Sequence, residues 1–280
     1  MLGDAGQALR YYAPSAPLVR YITNIFVWTG ERTAFTAWMP AIEGQIFICL
    51  GGSVTVRFAH GPDFPVDRPM LVGPMAGTMH MDTGPALVAV GAGMTAAGYL
   101  RLIGADATGV IDRTTDLGGL WGDQTVQQLR QRLIDLTCHD ARAALLGRWL
   151  QRRLVWREAA DDWRALALDR WLARGATSLD SLCRDLSLSH RQAARLAATM
   201  HGMSPKSLAM RERALRAARA LAASGRGTAS DHQYADQSHM IRDFKRFIGS
   251  TPRHFVETPV ARHVFEDPER VGTSIAIIGG

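Results

Sequence analysis

Apolar residues recur at every second position over much of the first third of the chain, and at every third or fourth position in the rest. Between residues 18 and 98 the alternating runs are short. They fall at 21–28, 34–39, 45–50, 53–58, 70–72 and 87–90, are rich in β-branched and aromatic residues, and are separated by Gly and Pro. Such runs predict strands, and their regular spacing predicts a small barrel or sandwich. Gly51-Gly52, between two of the runs, predicts a tight hairpin.

From residue 125 the spacing is helical. Val126, Leu129, Leu133 and Leu136 lie three, four and three apart, a face suited either to packing within the chain or to a short seam between two copies. Leu145, Leu146, Trp149, Leu150 and Leu154 continue an apolar stripe in a second helix, whose other face is basic at Arg148, Arg152, Arg153 and Arg157. A third stripe, Leu166, Leu168, Trp171 and Leu172, stops at Gly175. Thr177 with Asp180 has the form of a weak capping box, and Leu179, Leu182 and Leu186 mark the buried side of the helix it opens. Ser189 with Gln192 is a stronger box and opens the next helix. Leu208, Leu215, Ala218 and Leu221 give a long helix over 206–224 its core side, with Arg211, Arg213, Arg216 and Arg219 mostly outward.

Residues 234–255 repeat part of this grammar. Asp236 suits a helix cap. Met240, Phe244 and Phe247 share one helical face, and Gln237, Ser238 and Arg242 share another. Gly249 suits a left-handed helix stop, and Thr251-Pro252 is a cap followed by a first-turn proline. At a constant offset of 47 residues, Ser189 answers Asp236, Arg195 answers Arg242, Gly202 answers Gly249, Ser204-Pro205 answers Thr251-Pro252 and Lys206 answers Arg253. A repeat that keeps register outranks single motifs. Each unit reads as a helix-turn-helix followed by a further helix. Two in tandem can set recognition helices in successive major grooves, about 34 Å apart.

The repeat is imperfect. The counterpart of the first unit's scaffold helix falls at 224–233, where Arg226, Ala229 and Gln233 stand in place of Leu179, Leu182 and Leu186. Two glycines also fall there, and each disfavours helix by about 1 kcal/mol. A short or poorly ordered scaffold helix is expected.

The run from Tyr234 to Pro252 resembles the C-terminal signature of the AraC/XylS family of bacterial transcription regulators, Gly-Tyr-x-Asp-Gln-Ser-His-Phe-x-Arg-x-Phe-Lys-Arg-x-x-Gly-x-Thr-Pro. The resemblance extends over roughly residues 163–257. Gln233 stands where that signature has glycine; in the first unit Ala194 replaces a long polar residue and Ala197 a Phe. A diffuse likeness at Val72-Gly73-Pro74 and 116–122 suggests the family's cupin-like N-terminal domain. The resemblance implies an α+β chain of two domains. Residues 1–112 would form a cupin-like barrel or sandwich for sensing or oligomerisation, 113–160 a helical linker and dimer element, 161–260 an all-α double helix-turn-helix, and 261–280 a tail. Arg191, Gln192, Arg195, Gln237, Ser238 and Arg242 would meet base edges; Lys206, Lys245, Arg246 and Arg253 would meet phosphate. The partner implied is double-stranded DNA. A small-molecule effector, a second copy of the chain, and RNA polymerase in the case of an activator stay open.

Charge agrees with that division. The chain carries a formal +6, but residues 161–262 hold a net +7 and residues 1–112 a net −2, as a phosphate-binding surface in the C-terminal region requires. Cys49, Cys138 and Cys183 are far apart and form no CxxC pair, which predicts neither a disulfide framework nor a zinc site and suits a cytoplasmic, nucleoid-associated protein. No stretch is apolar and long enough to predict a membrane span. A cupin-type enzyme is the alternative function, with the helical part as an oligomerisation module. A metal centre needs converging ligands, and here His80 stands between two methionines and His60 stands alone. No catalytic residue, metal or cofactor is expected, although Trp28, Trp38, Phe47 and Glu43 could line a pocket.

Overall fold

The computed structural model describes residues 8–30, 34–59, 61–104, 106–154, 162–175, 178–224, 234, 236–257 and 276–278. The N-terminal half is a sandwich of two antiparallel sheets. One contains β1 (Ala8–Tyr12), β2 (Ile22–Thr29), β9 (Val88–Met94), β4 (Gln45–Gly51), β7 (Met70–Val72) and β10 (Thr114–Asp116), in that spatial order. The other contains β11 (Ala276–Ile278), β3 (Phe35–Met39), β8 (Met79–Thr83), β5 (Val54–Phe58) and β6 (Asp63–Pro65), again in spatial order.

Alternation along the strands sorts the residues between two faces. Phe26, Trp28, Phe47, Cys49, Met70 and Val72 point from the first sheet into the sandwich, where they join Val54, Val56, Phe58, Met79 and Met81 of the second. Gly91 pairs with both Phe26 and Phe47. A side chain there would strike the Phe26 ring and the Ile46 carbonyl, so glycine makes room for the two aromatic rings, 6.2 Å apart. The intervening residues Ile25, Val27, Ile46, Ile48, Leu71 and Val90 face the other way.

That outer face is covered by helices: α1 (Ala96–Leu102), α2 (Leu117–Trp121), α3 (Asp123–Ile134) and α4 (His139–Leu154). Val126, Leu129 and Leu133 are buried against it, so the stripe expected to serve either the chain or a dimer is spent within the chain. Full burial of a leucine such as Leu133 contributes about 1.5–3 kcal/mol. The basic face of α4 is not all solvated: the Arg153 guanidinium lies 4.7 Å from the Trp121 ring and 4.9 Å from the Trp149 ring.

The glycine pair at 51–52 corrects one expectation. Gly52 has φ +76, but β4 pairs with β7 and β9 while β5 pairs with β6 and β8. The turn therefore carries the chain from one sheet to the other and forms no hairpin. The expected helices follow: α5 (Asp162–Ala173), α6 (Leu179–Leu186), α7 (His190–His201), α8 (Pro205–Ser224), α9 (Gln237–Phe247) and α10 (Pro252–Glu257). α5, α6 and α7 share a core with Ala96 and Ala97 of α1.

The α8 arginines also depart from expectation. Arg211 is 1% exposed. Arg213 donates to Asp243 at 2.8 Å, and Arg216 donates to the carbonyls of Leu172 and Gly175, both at 3.3 Å. Arg216 thus ties α8 to the carbonyls at the end of α5. Residues 225–233, where the second scaffold helix was expected to be degraded, lie outside the described residues.

Candidate nucleic-acid interface

The first unit is built by local bonds. Trp171 Nε1 donates to the Ser178 carbonyl at 2.9 Å. Ser178 caps α6, its hydroxyl accepting from Ser181 N at 3.1 Å; the cap expected at Thr177 falls outside the described residues. Ser187 ends α6 with φ +53, and two residues later Ser189 caps α7. Both halves of the Ser189–Gln192 box are formed. Gly202 ends α7 at φ +69, and Ser204 accepts from Ser207 N at 3.2 Å as α8 begins.

The second unit repeats these steps in register. The Asp236 carboxylate accepts from Ser238 N at 2.9 Å. Gly249 follows α9 at φ +88, and Thr251 Oγ1 accepts from His254 N at 3.2 Å as α10 begins. α7 and α9 start at His190 and Gln237, α8 and α10 at Pro205 and Pro252; both offsets are the 47 residues of the repeat.

Both helices are amphipathic. α7 buries Ala193, Ala197 and Met200 and exposes Arg191, Gln192 and Arg195. Met200 lies in the same cluster as Ala197, the position at which a larger side chain was expected. α9 buries Phe244 and Phe247 and exposes Gln237, Ser238 and Arg242. The Gln192 carbonyl oxygen is engaged by Ser189. Lys206 and Lys245 are exposed. Arg253 pairs with Glu257 at 2.9 Å. Arg246 donates to the Ala76 carbonyl at 3.2 Å and lies over the Phe247 ring, so one of its donors is held by the sandwich.

Comparison with known families matches residues 182–258 to a family described as "Helix-turn-helix domain". The C-terminal part of the chain therefore carries a helix-turn-helix domain. Domains of this kind are the DNA-binding part of transcription regulators. A solved structure, the crystal structure of the AraC-like transcriptional activator CuxR, aligns at 10% identity over 76% of this chain and 86% of that chain, with a TM-score of 0.32, too low to bear on the fold. No curated protein matches the chain.

The helix-turn-helix domain meets the sandwich through a buried charged junction that the sequence analysis did not anticipate. His201, at the end of α7, is fully buried, with Nδ1 2.9 Å from Glu43 Oε2 and Nε2 3.8 Å from Asp169 Oδ1. Arg211 reaches Glu43 and Glu212. Burial pushes the Glu43 carboxyl up, but the charges of Arg211 and His201 outweigh it and hold the group at about 2. Burial lifts Asp169 to about 6, against the pull of His201. For His201 burial acts downward, yet Glu43 and then Asp169 raise it above its ordinary value. One signal was present: Leu208, Arg211 and Leu215 are three and four apart, which puts Arg211 on the core stripe.

Glu43 is therefore no lining of a vacant pocket, and Trp28, Trp38 and Phe47 are core residues. His80 is exposed on β8, and among the described residues no group of three or more His, Cys, Asp or Glu is placed to hold a metal ion; His60 lies outside them. None of their helices is long and apolar enough to cross a membrane.

Proposed function

We propose that the chain is a sequence-specific transcription regulator that lays α7 and α9 in successive major grooves of double-stranded DNA. One observation carries this: Arg195 and Arg242 are the sixth residues of two capped helices in register, and both are exposed beside exposed amides. Arginine pairs bidentately with guanine and glutamine with adenine in the major groove. Arg191, Gln192 and Arg195 read one half-site; Gln237, Ser238 and Arg242 read the other. Lys206 and Lys245, with Arg253 released from Glu257 and the remaining donors of Arg246, hold phosphate.

The DNA-binding part begins near residue 161. The N-terminal part is left for sensing or for self-association, and contact with RNA polymerase applies if the protein activates. An effector has a candidate seat in a cleft of about 340 Å³ between β1 and α4, beside Tyr12, Ile25, Asp140 and Gln151. Selection of random DNA by the purified protein tests the central claim. It should return two unlike half-sites about 34 Å apart; enrichment of no sequence, even at low salt, rejects it.

A further inference from the structure

The two recognition helices rest on different floors. The buried side of α7 shares a core with Leu182 and Leu186 of its own scaffold helix and with Ala96 and Ala97 of α1, and Gly202 at its end packs on Ile111. In the second unit, the sequence places Arg226, Ala229 and Gln233 where those scaffold leucines would recur. Phe244, Phe247 and Ile248 of the α9 segment, with Phe255 of α10, are nevertheless fully buried. Their cluster contains α8 residues together with Trp38, Met39, Ala41, Ile42 and Met75 of the sandwich.

Backbone contacts follow the same route. Ala41 N donates to the Phe247 carbonyl at 2.8 Å, satisfying an acceptor that the end of a helix leaves without an intrahelical partner. Arg246 Nε donates to the Ala76 carbonyl at 3.2 Å. Gly249 packs so closely on the Trp38 indole that a Cβ there would overlap the ring.

We propose that the end of the sandwich formed by residues 38–42 and 75–79 replaces the missing apolar scaffold and is the structural floor of the second recognition helix. DNA reading by α9 then requires the N-terminal half, and loss of the apolar residues at this end of the sandwich weakens α9 more than α7, which keeps its own scaffold leucines. The DNA consequence rests on the function proposed above; the packing claim does not.

Amide exchange on the full chain separates the two. Trp38→Ala and the milder Ile42→Ala should speed exchange in residues 237–248 by about tenfold relative to 190–201, because α9 loses its apolar floor whereas α7 keeps Leu182 and Leu186 of its own scaffold helix. Leu133→Ala, a truncation on the outer face of the first sheet, should produce no such bias. Should Trp38→Ala disrupt the sandwich as a whole, Ile42→Ala decides. Exchange in 237–248 that stays level with 190–201 in a folded variant overturns the proposal. In footprinting, either variant should lose protection over the α9 half-site and keep it over the other. A wild-type protein that leaves no footprint counts against the DNA reading alone, and the exchange result still stands.

Discussion

Glu43 of the β3–β4 connection and His201 at the end of α7 form an ion pair of 2.9 Å across the junction between the sandwich and the helix-turn-helix domain. The groups facing His201 are Glu43, Asp169 of α5, and Arg211 of α8 with its neighbour Glu212. His201 is raised above 6.5, so its contribution to stability is complete below that pH and is lost as pH climbs through its folded value. Glu43 is lowered from 4.5 to about 2, so its contribution is complete above 4.5 and is lost on acidification toward 2. Asp169, raised from 3.8 to about 6, costs stability as it ionises across that interval.

The loss on Glu43→Gln, taken from urea unfolding of variant and wild type, should therefore be greatest between pH 4.5 and 6.5. It should shrink toward acid, and shrink toward alkali to the part owed to Arg211. A loss of equal size at every pH would show that the pair does not titrate as described. Glu43→Ala, which leaves buried His201 and Arg211 only their more distant partners Asp169 and Glu212, should cost at most about 3–5 kcal/mol.

Arg242→Ala and Lys245→Ala should differ in kind. The first should relax base preference in one half-site, with about 1–3 kcal/mol of discrimination lost. The second should weaken every DNA alike and flatten the dependence of log K on log salt by about 1. Binding measured on the selected site and on scrambled DNA over a salt series checks both. An unchanged base preference in Arg242→Ala removes that residue from the reading surface.

Gly202→Ala and Gly249→Ala should both destabilise, because their φ values of +69 and +88 disfavour a β-carbon, by about 1 kcal/mol each. The second should cost more. At Gly202 a Cβ would stand 2.9–3.1 Å from Ile111 and the Ala107 carbonyl, whereas at Gly249 it would stand only 2.1–2.6 Å from the Trp38 ring. Melting temperatures of the two variants decide the order.

Ser189→Ala should lose the bond that the hydroxyl accepts from Gln192 N, keep the one its own backbone N donates to the Gln192 side chain, and cost about 0.5–2 kcal/mol. Ser189→Asp should recover most of it, since a carboxylate also accepts from the first turn. Failure of that rescue, measured by urea unfolding, would mean the Ser189 hydroxyl acts through something other than the cap.

The sequence showed most clearly what is decided locally. Ser189, Gly202, Asp236 and Gly249 mark helix ends because caps and left-handed stops depend on one or two residues. Strand β8 left only a short trace, since its alternation of Met79 and Met81 with His80 and Asp82 spans five residues and carries no β-branched or aromatic side chain before Thr83. β1 and β10 lie at the edges of their sheet, with few apolar positions to betray them. The Glu43 junction joins residues 158 and 168 positions apart in the chain, and no local pattern encodes such a meeting. The support of α9 by Trp38 and Ile42 was hidden for the same reason; the only hint was negative, the leucines absent from 226–233.

α8 runs unbroken from Pro205 to Ser224, about 30 Å of helix. Leu208 near its start belongs to the core of the first unit, and Ala214 to Ala222 belong to the core that holds the second. If α7 and α9 read DNA as proposed, the stiff strut they share acts as a ruler. Inserting about five base pairs between the half-sites would turn one of them to the far side of the duplex, and the strut has no joint with which to follow it.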